Sequence, residues 1–222
     1  MILASPASAA MPLPPWAAGS AQFTRPAWLR WLSELRIDVS HEPERLDGEL
    51  DAIHERLHRP GDRLHGIAAV GIGDPDLLIR HREADGEFYV YVEDVRHRRL
   101  AGYVVFNRLI EVHRRADRYL RAPHSKFDPR YQRRGLATAI YRWALDGGLC
   151  LLTGARQSPA AHALWHSLGR HYSLGCVDLR EKTLRYLGSE VSAQVLGELQ
   201  TRMLLLGCGW TLAQFRAAAG MH

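Results

Sequence analysis

Apolar residues recur every three to four positions in two segments near the start of the chain. One segment runs from Pro26 to Arg36, and the other runs from Leu46 to Leu57, ahead of Pro60 and Gly61. This spacing predicts two amphipathic helices, the second capped by Ser40 and ended by the proline-glycine pair. We expect the apolar stripe of each helix to pack on a core.

Between Leu77 and Leu109 the spacing changes to an alternation of apolar and polar residues. The segments LLIRHRE, EFYVYVED and RRLAGYVVFNRL follow one another across short turns. Alternation is typical of strands with one buried face, so three antiparallel strands are predicted here. A fourth extended segment is predicted from Tyr119 to Phe127.

The rest of the chain mixes both spacings. After a loop from Arg130 to Gly135, a helix is predicted at LATAIYRWAL, then a strand at LCLLT, a helix at SPAAHALWHSLG and a hairpin at YSLGCVDLRE and TLRYL. Beyond Gly188 the spacing is helical again, and it predicts a C-terminal helical extension. The apolar positions of that extension are Val191, Val195, Leu196, Leu199, Met203, Leu206, Leu212, Phe215 and Ala219.

Together these elements predict an α/β fold with a mixed, mainly antiparallel sheet flanked by helices. We divide the chain into a disordered tail at 1–25, N-terminal helices at 26–61, a core at 62–188 and the C-terminal helical extension at 189–222. The added helices could shape a substrate pocket or form the contact of a homodimer.

Composition limits the classes of partner. With 46% hydrophobic and 24% charged residues, the chain resembles a soluble protein, and no stretch reaches the ~20 apolar residues of a membrane span. The net charge of +5 comes almost entirely from arginine. A basic surface is compatible with nucleic acid, an anionic membrane face or an acidic cofactor.

The cysteines and the N-terminal segment indicate in which cellular compartment the protein is expected. The three cysteines are far apart and form no CxxC or Cys/His cluster, so neither a disulfide framework nor a metal site is predicted, and a reducing cytoplasm fits. The first twenty residues lack the basic start of a signal peptide and contain prolines. Their Ser, Ala and Pro content is also compatible with export from a bacterium.

The candidate chemistry lies in the run FDPRYQRRGLATAIY, from Phe127 to Tyr141. This run joins a strand to a helix through a turn that contains arginines and a glycine. The first amides of a helix have no partner within the helix, so they can bind an anion, assisted by the helix dipole. Gly135 and Ala137 leave room for a phosphate, while Arg133 and Arg134 add positive charge. The residues therefore predict an anion site without identifying the anion.

The segment QRRGLA, at 132–137, matches the Q/R-x-x-G-x-G/A signature of the Gcn5-related N-acetyltransferase (GNAT) superfamily. The preceding FDPRY resembles that family's usual lead-in, and in the family this loop binds the pyrophosphate of coenzyme A (CoA). The resemblance implies that acetyl-CoA or another acyl-CoA is the cofactor, with its pantetheine arm bonded to the strand backbone near Ser125 and Phe127. The residues implied at the pyrophosphate are Gln132, Arg133, Arg134, Gly135, Leu136, Ala137 and Thr138.

The resemblance continues downstream and covers roughly 77–187. GNAT proteins have a second helix with the pattern N-x-x-A-x-x-L-Y-x-x-x-G, and the run from Ser158 to Gly169 has the same spacing. Residues 157–165 also resemble phage-like and bacterial effector-like members. Trp165, implied at the thioester, stands where many members have a tyrosine that acts as general acid; an indole cannot act so, but it can shape the pocket. Ser158 replaces the asparagine and can bond the pantetheine arm or cap the helix.

Acyl transfer to an amine requires the neutral amine, so a side chain that accepts its proton is expected nearby. His124 is the first candidate, because it lies on the strand that leads to the pyrophosphate loop, where the family's base is often found. Its ordinary pKa of about 6.5 suits this role. Glu93, Asp94 and Glu111 are rival candidates.

The resemblance implies an acyltransferase that moves an acetyl group to an amine of a small molecule or a protein. A CoA-binding module without catalysis is a second interpretation, since the tyrosine is missing. Nucleic-acid binding by the arginine-rich stretches RHRRL, HRRADRYLR and RYQRR is a third. It is disfavoured because Tyr89, Tyr91 and Phe106 alternate as core residues would, whereas single-strand binders expose stacking aromatics.

Overall fold

The computed structural model describes residues 43–72 and 74–222. The predicted tail, the helix from Pro26 to Arg36 and the Ser40 cap lie outside these residues. Within them, the chain folds into a nine-stranded sheet with helices on both faces. The prediction of a mixed, mainly antiparallel α/β architecture is confirmed.

The helices and strands have the following bounds. The helices are α1 (Pro43–His58), α2 (Arg114–Asp117), α3 (Leu136–Asp146), α4 (Pro159–Leu168), α5 (Ala193–Leu196) and α6 (Leu212–Ala219), with a 3₁₀ turn at Pro129–Tyr131. The strands are β1 (Ala69–Gly71), β2 (Leu77–Ala84), β3 (Glu87–Asp94), β4 (Arg99–Asn107), β5 (Leu120–Phe127), β6 (Cys150–Leu152), β7 (Leu174–Arg180), β8 (Thr183–Gly188) and β9 (Thr201–Leu205). The strands and helices predicted between Leu46 and Gly188 therefore all form.

Neighbouring strands follow the order β1-β2-β3-β4-β5-β6-β9-β7-β8. Each neighbouring pair in the described residues is antiparallel except β5 and β6, which run parallel. Tight turns connect β2 to β3 and β3 to β4, as expected for hairpins, whereas the parallel pair is connected through α3.

The prediction of helix beyond Gly188 is wrong for much of this segment. Thr201–Leu205 form β9, which lies between β6 and β7 in the sheet, and α5 covers only four residues. All five residues of β9 are buried, because helices cover the strand on both faces. A short apolar run of this kind fits a buried strand as well as a helix, and only its partners decide between them. The final helix, α6, forms as predicted.

Two groups of helices cover the two faces of the sheet. The buried residues of α3 and α4, among them Ile140 and Leu168, pack on one face together with Phe106 and Met203. On the opposite face, α1 packs on β3 and β4, while α2 and α6 pack on β6, β7 and β9. Among the helices within residues 43–72 and 74–222, none combines the length and the apolar character that crossing a bilayer requires.

Candidate functional site

β5 and β6 pair over only two positions and then separate. Leu120 lies opposite Cys150 and Arg121 lies opposite Leu151. Beyond these pairs, β5 continues to Phe127, and from Ala122 onward it stays paired with β4. Residues 122–127 therefore form one wall of a gap in the sheet, on the side where β6 has moved away.

Two hydrogen bonds show which way the backbone groups of β5 point. The amide of Cys150 in β6 donates to the carbonyl of Tyr119 (3.1 Å), and the amide of Asp128 donates to the carbonyl of Ala101 in β4 (3.0 Å). Peptide groups point alternately to the two sides of a strand. Odd-numbered residues of β5 therefore direct their N–H and C=O groups toward β6, and even-numbered residues direct theirs toward β4.

Ser125 and Phe127 are odd-numbered, so the structure brings their backbone groups to the edge of the gap. The carbonyl of Phe127 accepts a hydrogen bond from Nε2 of Gln132 (2.9 Å), which connects the strand to the turn that follows it. The side chain of Ser125 hydrogen-bonds to Tyr141 of α3, and burial raises the pKa of this tyrosine to about 12. These contacts position the wall of the gap against α3.

The segment between β5 and α3 is held by buried carboxylates. Asp128 accepts a hydrogen bond from the amide of Arg130 (2.8 Å), which caps the 3₁₀ turn, and it lies 3.7 Å from Arg99. The hydroxyl of Tyr131 donates to Oδ2 of Asp94 (2.7 Å). Burial raises the pKa of Asp94, but hydrogen bonds from Tyr131 and its other donors outweigh burial and lower the pKa to about 2. The turn therefore starts from a fixed position.

The turn leads into α3 through two residues with left-handed backbone. Arg133 has φ +59° and Gly135, the N-cap of α3, has φ +79°. No side chain caps this helix, and a Cβ placed on Gly135 would meet no atom within 4 Å. The first amides of α3, at 136–138, therefore face a space that an anion can enter. These amides belong to Leu136, Ala137 and Thr138.

The two arginines of the turn differ in their surroundings. Arg133 is exposed. Arg134 forms an ion pair with Asp74 (3.1 Å) and lies over the ring of Tyr131, with its guanidinium carbon 5.4 Å from the ring centre. An exposed pair of this kind is worth only about 0.2–1 kcal/mol, so Arg134 can exchange Asp74 for a phosphate at little cost.

On α4, the structure separates the roles of Ser158 and Trp165. The hydroxyl of Ser158 accepts a hydrogen bond from the amide of Ala161 (3.2 Å), so this serine caps the helix. Trp165 is 3% exposed and belongs to the same core cluster as Phe127 and Leu136. Its indole therefore packs as part of the wall between α4 and the sheet.

His124 lies on the opposite face of β5, where α1 covers the sheet. Its neighbour on that face is Lys126, whose Nζ donates to Oε2 of Glu49 on α1 (2.7 Å); Oε1 of Glu49 accepts from the hydroxyl of Tyr103. Burial raises the pKa of Glu49, but the hydrogen bonds from Lys126 and Tyr103, together with the positive charge of Lys126, outweigh burial and lower the pKa. The face of β5 next to the gap thus carries a histidine beside an ionised carboxylate.

Sequence reasoning missed Glu49. It lies between Leu46 and Leu50 in the apolar stripe of α1, so it borders the helix face that packs on the sheet. A polar residue at the border of a buried stripe is a usable signal for a site. However, only the packing of α1 on β4 places Glu49 beside residues far along the chain.

The rival bases do not lie at the gap. Glu93 and Asp94 end β3, which β4 separates from β5. Glu93 is held by Arg80 (Nε to Oε2, 2.8 Å), and Asp94 is held by Tyr131. Glu111 is exposed, with Oε2 3.8 Å from Arg202. Of the four candidate bases, His124 is the one on the strand that borders the gap.

Comparison with known proteins gives no match to a family model and none to a curated protein. Among solved structures, the chain is similar to a phosphinothricin acetyltransferase of the GNAT superfamily from Sinorhizobium meliloti, in complex with AcCoA. That match has 21% identity and a TM-score of 0.32, over 55% of this chain and 62% of that chain. The chain thus spans less than two thirds of that enzyme's length.

Two further solved structures are similar to the chain. One is a spermidine N-acetyltransferase chimera from Vibrio cholerae and hSSAT, with 18% identity and a TM-score of 0.33, over 75% of this chain and 92% of that chain. The other is a ribosomal L7/L12 alpha-N-protein acetyltransferase in complex with coenzyme A. It has 13% identity and a TM-score of 0.32, over 54% of this chain and 60% of that chain.

Proposed function

We propose that the chain binds acetyl-CoA or another acyl-CoA in the gap beside β5 and transfers the acyl group to an amine. The observation that carries this proposal is the meeting of two features at one place. Backbone groups of Ser125 and Phe127 border the gap, and the uncapped start of α3 at Gly135 lies where β5 leads. CoA offers matching groups, because its pantetheine arm contains amides and its pyrophosphate is an anion.

In this proposal, the predicted cofactor residues would have the following roles. The amides at 136–138 would bind the pyrophosphate, with Arg133 and Arg134 supplying positive charge. Gln132 holds the turn to β5 through the carbonyl of Phe127. On the other side, α4 begins at its Ser158 cap and places Trp165 in the wall behind the site. The QRRGLA resemblance is what identifies the anion as CoA.

The chemistry requires an amine, a thioester and a proton acceptor. The amine nitrogen would attack the thioester carbonyl carbon, and the negative charge on the carbonyl oxygen would be stabilised by backbone N–H groups of β5. His124 would take the proton from the nitrogen, after which the C–S bond breaks and CoA leaves as a thiolate. An ordinary thiol has a pKa of about 8.5, so a thiolate leaves without a dedicated acid. Most of the acceleration would come from positioning.

The acceptor would be an amine on a small molecule or a protein. Glu49 of α1 packs against the face of β5 that carries His124, and its lowered pKa keeps it ionised. A carboxylate there would attract a protonated amine and hold it near the histidine that removes its proton. The acceptor would thus approach from the α1 side.

The alternative function is binding of CoA or acyl-CoA without catalysis, and the properties of Trp165 support it. Trp165 cannot donate a proton to the leaving group, and it is buried in the core. Nucleic-acid binding is less well supported, because Phe106 and Tyr91 are buried and Tyr89 stacks on Tyr91. The aromatics of β3 and β4 therefore do not form an exposed stacking surface.

Calorimetric titration of the full chain with acetyl-CoA, repeated with Gly135→Glu, tests this proposal. The substitution places bulk and a negative charge where the pyrophosphate would bind, so affinity should fall at least about 100-fold, as loss of several charged hydrogen bonds predicts. Gly209→Glu is the matched control. Gly209 is also exposed with a left-handed backbone (φ +87°) and open space around it, but it lies near the C-terminal end of α3.

The site would be supported if wild type and Gly209→Glu bind acetyl-CoA strongly and Gly135→Glu does not. Equal affinity in folded Gly135→Glu would refute it, as would no binding in wild type. Release of CoA thiol from acetyl-CoA with a panel of amines then separates catalysis from binding alone.

A further inference from the structure

Two histidines of α1 and one glutamate of β3 converge on the face of the sheet that α1 covers. His54 and His58 are one helical turn apart, so their side chains share a face of α1. Glu93 is buried, and its Oε1 lies 3.4 Å from Nε2 of His54 and 2.5 Å from Nε2 of His58. One possible ligand atom from each of the three residues lies within 4.8 Å of the other two.

The surroundings fix the glutamate and leave space beside it. Arg80 donates from Nε to Oε2 of Glu93 (2.8 Å) and from Nη1 to the carbonyl of Ile67 (2.6 Å). The second carboxylate oxygen, Oε1, is directed at the histidines. A surface pocket of about 330 Å³ opens at this cluster, lined by His54, His58, Arg80, Glu93, Val95 and Arg98.

Hydrogen bonding alone does not satisfy this cluster. Nε2 of His54 is shielded from solvent and makes no hydrogen bond with any part of the chain that the structure describes. The bond between His58 and Glu93 uses the same oxygen that His54 approaches. One proton serves one nitrogen and one oxygen, whereas a divalent cation accepts an electron pair from all three atoms at once. A bound cation would therefore give Nε2 of His54 the partner that hydrogen bonding within the cluster does not supply.

We propose that His54, His58 and Glu93 form a binding site for a divalent transition-metal ion, with Zn²⁺ the ion that fits best. Two imidazole nitrogens and one carboxylate oxygen are typical zinc ligands, whereas Mg²⁺ and Ca²⁺ prefer oxygen. The ligand atoms of a tetrahedral zinc ion lie about 3.3 Å apart. Side-chain rotations that move the three ligand atoms by about 1–2 Å would therefore complete the site. The pocket leaves the fourth position open to water or another ligand.

The sequence carries a signal for this site that the cysteine-based expectation of no metal overlooked. The segment HERLH, at 54–58, has the H-E-x-x-H spacing with which a helix presents two histidines to zinc. In hydrolases with this pattern the glutamate acts as a base. Here Glu55 is exposed and pairs with Arg59 (3.3 Å), so the proposal is confined to metal binding. Bound metal would link α1 to β3 and thereby steady the helix that carries Glu49.

The site can be tested with the full-length, tag-free chain after removal of metal by a chelator. We expect one Zn²⁺ to bind per chain in a calorimetric titration. At free Zn²⁺ about 100 times Kd, the melting temperature should rise by about 5–10 °C. Mg²⁺ should give no such rise. His58→Gln should weaken Zn²⁺ binding by about 100-fold or more, since even outer-shell partners of a metal contribute about 10–100-fold.

His162→Gln is the matched control. His162 and His166 are also four residues apart on a helix, with Nε2 atoms 3.2 Å apart, but they lie on α4, outside this cluster; His162 is partly exposed and His166 is exposed. His58 is half-exposed, so His58→Gln should still unfold in one cooperative transition when no metal is present, which shows that the variant is folded. The absence of Zn²⁺ binding in wild type would overturn the proposal. So would unchanged binding in His58→Gln, or binding that is lost in His162→Gln instead.

Discussion

Replacing Gly102 by alanine should damage the proposed acyl-CoA site from the far side of β5. Gly102 of β4 lies opposite Phe127 of β5. A Cβ at this position would overlap Cδ1 of Phe127, and it would lie 2.5 Å from the carbonyl oxygen of Lys126 and 2.8 Å from Cα of Phe127. Two of these three atoms belong to the backbone, so rotation of a side chain cannot relieve the overlap. β5 itself must move away from β4.

The size of the effect follows from these distances. Overpacking a core costs about 1–3 kcal/mol and occasionally more, and we expect about 3 kcal/mol here because the backbone must shift. For a chain of 222 residues this corresponds to a fall in melting temperature of about 6–12 °C. Backbone groups of Ser125 and Phe127 would move with the strand. Loss of two hydrogen bonds worth about 0.5–1.5 kcal/mol each would weaken acetyl-CoA binding by about 5- to 150-fold.

Denaturant unfolding and calorimetric titration with acetyl-CoA would measure both effects on the same preparation. The control is Gly48→Ala in α1, where an added Cβ meets no atom within 4 Å. Alanine favours a helix interior over glycine, so this variant should gain about 0.5–1 kcal/mol and bind acetyl-CoA like wild type. If Gly102→Ala kept the stability and affinity of wild type, the close contact between β4 and β5 would be refuted.

Three other substitutions test separate parts of the site. Asp94→Asn should lower the free energy of unfolding by about 2 kcal/mol at pH 7, because the pKa of Asp94 is about 2 in the folded chain and ordinarily 3.8. This stabilisation is present above pH 4 and is lost toward pH 2. The stabilities of variant and wild type, measured by urea unfolding, should therefore converge near pH 2. His124→Gln should lower kcat by about 100-fold or more with acetyl-CoA affinity unchanged, and an unaltered kcat would place the base elsewhere. Trp165→Phe should retain most of its activity because Trp165 packs in the core, and a large fall in kcat would contradict that role.

The parts of the fold that local patterns determine were predictable from the sequence. The alternation in β2, β3 and β4 and the helical spacing of α1, α3 and α4 each arise within one short segment, as do the turns that connect them. The QRRGLA run indicates an anion-binding turn because the glycine, the arginines and the start of the helix are neighbours in the chain. Such features need no knowledge of distant partners.

Other features depend on contacts between distant segments, and these only the tertiary structure decided. The run at 201–205 is a strand because β6 and β7 supply hydrogen bonds to both of its edges. The gap beside Ser125 exists because β6 separates from β5 after two pairs, which no property of β5 alone encodes. Glu49 reaches Lys126, and Glu93 reaches His58, because α1 packs on the sheet. Periodicity tells which face of a segment is buried, but the identity of its partner follows from how all the buried faces fit together.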